Sequence, residues 1–124
     1  GKETISLAPG SGGVHSVWVR VVPSLAQFHQ VLVFNWYFSV AVKDLNLFDA
    51  VKYSSYDSFA DDIIALVEEM NLKSSVFVGH SMSGMIGCIA SVKRPDLFSR
   101  LVLVASSPRY FQVSVNTNYY CYYI

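Results

Sequence analysis

Charge of either sign is scarce in this chain of 124 residues, where nine basic and nine acidic side chains cancel. The basic residues are scattered, with Lys93-Arg94 the one adjacent pair. Such a sequence offers no electrostatic footprint for nucleic acid or for an anionic membrane surface, and neither partner is expected. Cysteine is nearly missing as well. Cys88 and Cys121 belong to no CxxC and to no Cys/His cluster with metal-ligand spacing, which argues against zinc. Cys88 falls in an apolar helical stretch and reads as a small buried residue. Low cysteine usage, together with the lack of an N-x-S/T acceptor, fits a reducing compartment. No apolar run approaches the ~20 residues of a membrane-spanning helix. The start, Gly1-Lys2-Glu3-Thr4, has neither the apolar core of a signal peptide nor an initiator methionine. Either residues have been removed or the chain begins inside a longer protein.

Apolar residues, in contrast, make up 52% of the sequence, enough for a buried core in one domain. Short continuous apolar runs, Thr4 to Ala8, Val31 to Phe34, Val76 to Val78 and Leu101 to Val104, predict strands buried on both faces. Helical patterns alternate with them. One is expected around Ser16 to Leu25, with Trp18, Val21, Val22 and Leu25 on its apolar face and Pro23 keeping it short or kinked. The clearest follows Ser58, which with Asp61 forms a capping-box pattern. Phe59, Ile63, Leu66, Val67 and Met70 then recur at helical spacing, and Asn71 suits the residue just past the helix end. A third runs from Met82 to about Lys93 and is stopped by Pro95. Alternation of this kind predicts an α/β fold, a parallel sheet with helices on both faces. The stretch from Asn35 to Tyr53 is a poorly patterned loop. The tail after Tyr110, which carries four further tyrosines, follows neither a strand nor a helix period.

The chemistry lies in Ser75-Val76-Phe77-Val78-Gly79-His80-Ser81-Met82-Ser83-Gly84. A strand ends, a serine sits on the turn and a helix begins at once. That is the strand–turn–helix context of a G-x-S-x-G nucleophile elbow, with Ser83 in place of the last glycine. It predicts Ser81 as a nucleophile held in a strained backbone conformation. Small residues at 79 and 83 let the helix pass close to the strand. The amide of Met82, at the helix N-terminus, is the expected first oxyanion donor.

A serine nucleophile needs a base, and the base needs an acid to orient it. In the elbow-bearing fold these follow the serine in the order acid, then histidine. Here Asp96 is the only acid after Ser81, and no histidine follows. Asp96 lies beyond a helix of about a dozen residues, roughly 18 Å long, at the wrong edge of the sheet. His80 should point away from the elbow tip, and His29 precedes a strand at the opposite edge. His15 is near the right edge, but a helix-surface role is the better reading for it.

From Lys52 to Tyr110 the sequence resembles the plant strigolactone and karrikin receptors of the α/β-hydrolase superfamily. Gly79-His80-Ser81-Met82-Ser83-Gly84-Met85-Ile86-Gly87 is similar to their elbow. Lys93-Arg94-Pro95-Asp96-Leu97-Phe98-Ser99 and Ala105-Ser106-Ser107-Pro108-Arg109-Tyr110 are similar to the segments that follow. Phe34-Asn35-Trp36 and Ala41-Val42-Lys43-Asp44 resemble most the receptor-like paralogue branch, and the resemblance covers most of Ile5 to Tyr110. It implies a serine esterase fold that perceives butenolide-type small molecules, needs no cofactor or metal, and recruits F-box and repressor proteins in the cytoplasm and nucleus. It assigns Ser81 as nucleophile and the backbone amides of Met82 and Ser11 as oxyanion donors.

The sequence also departs from that family. Pro9-Gly10-Ser11-Gly12 stands where the family usually has His-Gly-Phe-Gly, and Asn35 stands where an aspartate is usual. The family's lid, remaining strands, catalytic Asp and catalytic His would follow Tyr110. The expected organisation is therefore a partial α/β-hydrolase core without the lid over 1–110, with an unrelated tail over 111–124, as in a truncated or mis-spliced reading frame. Two alternatives stand beside the receptor type: a non-catalytic fragment or interaction module, and a general serine esterase of the same superfamily.

Overall fold

A computed structural model of the chain describes residues 2–10, 15–36 and 55–106. Ser11, most of the expected loop to Tyr53, and the tail with its expected boundary at 110/111 lie outside the described residues. The elements run β1 (Thr4–Ala8), a 3₁₀ turn (His15–Trp18), α1 (Val22–Leu25), β2 (Gln30–Val33), α2 (Tyr56–Glu69), β3 (Ser75–His80), α3 (Met82–Lys93) and β4 (Phe98–Val104). The four strands form one parallel sheet in the order β2-β1-β3-β4. In that order β1 and β3 are central, and their C-terminal ends, Ala8 and Gly79, pair directly.

The alternation of side chains along each strand divides the core into two layers. On one face Ala8 and Phe77 join Phe59, Ile63 and Val67 of α2 and Met85, Ile86 and Ile89 of α3. On the other, Ile5, Leu7 and Val76 pack against Trp18, with Val22 and Leu25 of α1 alongside. Helices thus cover both faces. α3 is buried almost all round from Ser83 to Ala90, as its near-uniform apolarity requires. Cys88 is among those buried residues.

Several sequence expectations need correction. The helix expected at Ser16 to Leu25 is broken into a 3₁₀ turn and the single α-helical turn carrying Pro23, and Val21 faces solvent. β2 is half-buried rather than covered on both faces, because it lies at an end of the sheet's strand order. α2 starts at Tyr56, its N-cap being Ser55, three residues before Ser58, with no side-chain capping bond. Met70 is largely exposed. β3 runs on through Gly79 to His80, and β4 begins at Phe98, both longer than their apolar runs. The end of α2 follows expectation. Asn71 takes φ 56°. The amides of Asn71 and Leu72 donate to the carbonyls of Glu68 and Val67, at 2.9 and 3.0 Å, a Schellman closure.

Charged side chains tie α3 to α2 at the surface. Lys93 reaches Asp61 at 2.9 Å and Asp57 at 3.3 Å. Arg94 pairs with Glu68, and with Asp96 at 2.8 Å. The Arg94 guanidinium, hydrogen-bonded to Asp96, holds that carboxyl below its ordinary value. Hydrogen bonding to Asp61 raises Lys93 above the usual lysine value. A depressed carboxylate stabilises the fold above its unfolded-state pKa and loses that contribution as pH falls through the folded one. A raised lysine stabilises below 10.5 and loses its contribution as pH rises further. The expected result is a Tm that declines modestly at both extremes, since these groups are exposed. Asp96→Asn should flatten the acid limb alone, as read by thermal unfolding between about pH 2 and 6.

Candidate active site

The site is built at the C-terminal ends of the central strands. His80 ends β3, its amide plane passes to Ser81, and α3 begins at Met82. Ser81 adopts φ 55°, ψ −121°, a conformation that non-glycine residues rarely hold and that costs about 1–3 kcal/mol. The surrounding backbone over-determines it. The Ser81 amide donates to the Val104 carbonyl at 2.9 Å, and the Ser81 carbonyl accepts from the Gly84 amide at 3.0 Å. From the end of β4, the Ser106 hydroxyl donates to the same Ser81 carbonyl at 2.8 Å. Ala105, at φ 50°, turns the chain there. Ser81 itself is half-buried, so its side chain is not sealed in the core.

The small residues around Ser81 are needed for space. A Cβ on Gly79 would stand 2.6 Å from the Gly84 nitrogen and from the carbonyl of Ser83, both backbone. A Cβ on Gly84 would overlap the Ser106 hydroxyl. The serine at 83 is accommodated because its side chain turns into a polar cluster. It is fully buried, its hydroxyl donates to the Pro9 carbonyl, and it accepts from the Trp36 indole N–H at 2.9 Å. That indole N–H also lies 3.1 Å from the Pro9 carbonyl.

As the first residue of α3, Met82 has an amide without a partner inside the helix, aimed along the positive end of the helix dipole. Gly10 lies against the elbow: a Cβ there would be 2.9 Å from His80 Nδ1 and 3.1 Å from Ser81 Cβ. The end of β1 and the elbow are therefore adjacent, as an oxyanion site shared between the two segments requires. Ser11, the second expected donor, is outside the described residues.

The histidines and the lone downstream acid are elsewhere. The His80 ring points to the face opposite α3 and meets Trp18 edge-on, with centroids 6.4 Å apart. His29 precedes β2, with its Nδ1 buried and unpaired among the described residues. The side chain of His15 is outside the described residues. Asp96 stands exposed just before β4, at the strand's N-terminal end, whereas Ser81 follows the C-terminal end of β3. The register Ser75 to Phe98 and His80 to Val104 puts the length of a strand, about 20 Å, between them. The described residues thus bring together the expected nucleophile, Ser81, and one expected oxyanion donor, the Met82 amide, and place neither His29 nor Asp96 beside them. They also hold no group of three or more His, Cys, Asp and Glu arranged for a metal, and no helix long and apolar enough to cross a membrane.

Residues 3–119 match the family described as the alpha/beta hydrolase fold. The chain belongs to that family. It is 44% identical over 110 residues to a karrikin insensitive 2 receptor of Petunia hybrida, covering 89% of this chain and 40% of that protein. It is 36% identical over 110 residues to a strigolactone esterase of Arabidopsis thaliana, covering 89% of this chain and 41% of that one. Among solved structures, a hydrolase from Oleispira antarctica superposes with a TM-score of 0.83 at 30% identity, over 93% of this chain and 42% of the other. The resemblance to karrikin and strigolactone receptors read from the elbow and its flanks is thus upheld across most of the chain. This α/β-hydrolase chain spans about 40% of the length of the curated relatives it matches.

Two contributors to the site carried no local sequence signal. Trp36 is 47 residues from Ser83 and 27 from Pro9, so nothing in its neighbourhood marks it as a partner of the elbow. Ser106 belongs to a segment recognised by resemblance, but its bond to the Ser81 carbonyl depends on the turn at Ala105.

Proposed function

We propose that Ser81 is the nucleophile of a serine hydrolase of the karrikin and strigolactone receptor type, with the amides of Met82 and Ser11 as oxyanion donors. The observation that carries this reading is the strained φ of Ser81 between β3 and α3, held by two backbone bonds and by the Ser106 hydroxyl. Strain of this kind persists where the surrounding structure is built to present a side chain. The identity to the petunia receptor and the Arabidopsis esterase supports a small butenolide-type ligand. F-box and repressor proteins as partners, and a cytoplasmic and nuclear location, belong to the same reading. The acid and the base are assigned to the part of the hydrolase fold that this sequence does not span.

The chemistry asked of this chain is limited accordingly. The oxyanion site can stabilise charge developing on an acyl or phosphonyl oxygen, and without a base the serine reacts slowly. A fluorescent fluorophosphonate is therefore the first probe. Labelling of the wild-type chain and none of Ser81→Ala is the expected result. Equal labelling of both would remove Ser81 from the role. A protein completed with lid, acid and histidine should cleave a butenolide ester faster than p-nitrophenyl acetate. The reverse preference would favour a general esterase, and no Ser81-dependent turnover would favour a binding module.

A further inference from the structure

We propose that Trp36 is a positioning residue for the Pro9–Gly10 peptide at the end of β1, which it sets against Ser81 through Pro9 and Ser83; the proposal rests on the reading of Ser81 as nucleophile. Three segments distant in sequence meet in one buried polar cluster. The Trp36 indole N–H is 2.9 Å from the Ser83 hydroxyl oxygen and 3.1 Å from the Pro9 carbonyl oxygen, and the Ser83 hydroxyl donates to that same carbonyl. Pro9 and Ser83 are fully buried, and Trp36 nearly so. Water therefore does not substitute for either bond.

The consequence follows from the planarity of the peptide. The Pro9 carbonyl belongs to the same rigid unit as the Gly10 amide, so two donors on that oxygen set the orientation of the whole plane. Gly10 in turn lies against His80 and the Ser81 Cβ. One of the two donors comes from Ser83, on the first turn of α3, next to the Met82 amide. The cluster thus ties the end of β1 to the helix end that carries the Met82 amide. Trp36 holds this tie in place because its own ring is fixed. Phe34 and Phe59 meet it edge-on, with centroids 5.5 and 5.4 Å away. Removing the indole N–H leaves the Pro9 carbonyl with one donor and the Ser83 oxygen without one, while the aromatic packing stays.

The test replaces Trp36 by β-(3-benzothienyl)alanine, which has sulfur in place of the indole N–H and nearly the same shape. Trp36→Phe serves as a second variant. Both are made in the full chain. Two quantities are read. The first is the rate of Ser81 labelling by the fluorophosphonate, in which the serine oxygen bonds to phosphorus, fluoride leaves and the hydroxyl proton passes to solvent. The second is the ¹⁵N shift of the Gly10 amide, which senses hydrogen bonding to the carbonyl of its own peptide unit. The expected result is labelling slowed roughly tenfold to a hundredfold, a displaced Gly10 signal, and a thermal midpoint within a few degrees of wild type. An unmoved Gly10 signal, or an unchanged labelling rate beside a moved one, overturns the proposal. A wild-type chain that is not labelled at all, with the Gly10 signal displaced in the variant, instead overturns the nucleophile reading and leaves the tie itself standing.

Discussion

Gly79→Ala is expected to destabilise the chain by about 3 kcal/mol or more, the upper end of what overpacking costs. Most single substitutions to alanine are far milder. This one puts a methyl group 2.6 Å from the backbone of Ser83 and Gly84. A flexible side chain could move aside, but here the obstacle is the first turn of α3 itself. That turn is fixed by the Gly84 amide on the Ser81 carbonyl and by Ser83 on Pro9. The helix would have to lift from β3, and the core it shares with Phe77, Phe59 and Ile63 would open with it. Urea unfolding followed by Trp fluorescence should show a large fall in midpoint, or no cooperative transition at all. An unfolding free energy within about 1 kcal/mol of wild type would mean that the helix and strand are not in the close contact described.

The second large effect has the opposite sign. Ser81→Gly is expected to raise stability by about 1 kcal/mol while abolishing fluorophosphonate labelling. At φ 55°, ψ −121° a serine Cβ is strained by about 1–3 kcal/mol, and glycine takes that conformation freely. Against the relief stands the greater backbone freedom glycine has when unfolded, about 0.5–1 kcal/mol. The Ser81 backbone bonds to Val104 and Gly84 are kept in the variant. Ser81→Ala separates the two effects, since it removes the hydroxyl but keeps the Cβ, and so should lose labelling without gaining stability. A Ser81→Gly protein less stable than Ser81→Ala would show that the backbone at 81 is not strained.

The two variants bear on the same structural point. The elbow is a place where local preference is overruled, with a serine forced into a glycine-like conformation. The overruling is done by neighbours whose small size is essential. Function of the proposed kind needs the hydroxyl held out at the sheet's C-terminal edge, and the fold holds it there against local preference.

Much of this was legible in the sequence. Four apolar runs separated by helical patterns were enough for a parallel α/β sheet, because a strand covered on both faces has no polar alternation to show. The serine between an apolar strand and an apolar helix marked Ser81 and Met82, because that turn can be made only with small residues around it. The small residues at 79 and 83 followed from the same closeness, whereas the need for glycine at 84 came from its contact with Ser106. Within these 124 residues no histidine follows Ser81, and Asp96 sits a full helix away from it.

What only the tertiary structure decided depends on contacts between distant segments. The half-exposure of β2 follows from its place at the end of the strand order. An apolar run reads the same at the centre of a sheet as at its edge. The start of α2 at Tyr56, with Ser55 as its N-cap, was hidden because Ser58 with Asp61 offers a capping pattern one turn later, and only the backbone path chooses between them. The ties of Trp36 to Pro9 and Ser83, and of Ser106 to the Ser81 carbonyl, bridge 27, 47 and 25 residues. A periodicity reports what one residue needs from its immediate neighbours along the chain. A hydrogen bond across that many residues exists only once the sheet has brought the ends of β1, β3 and β4 together.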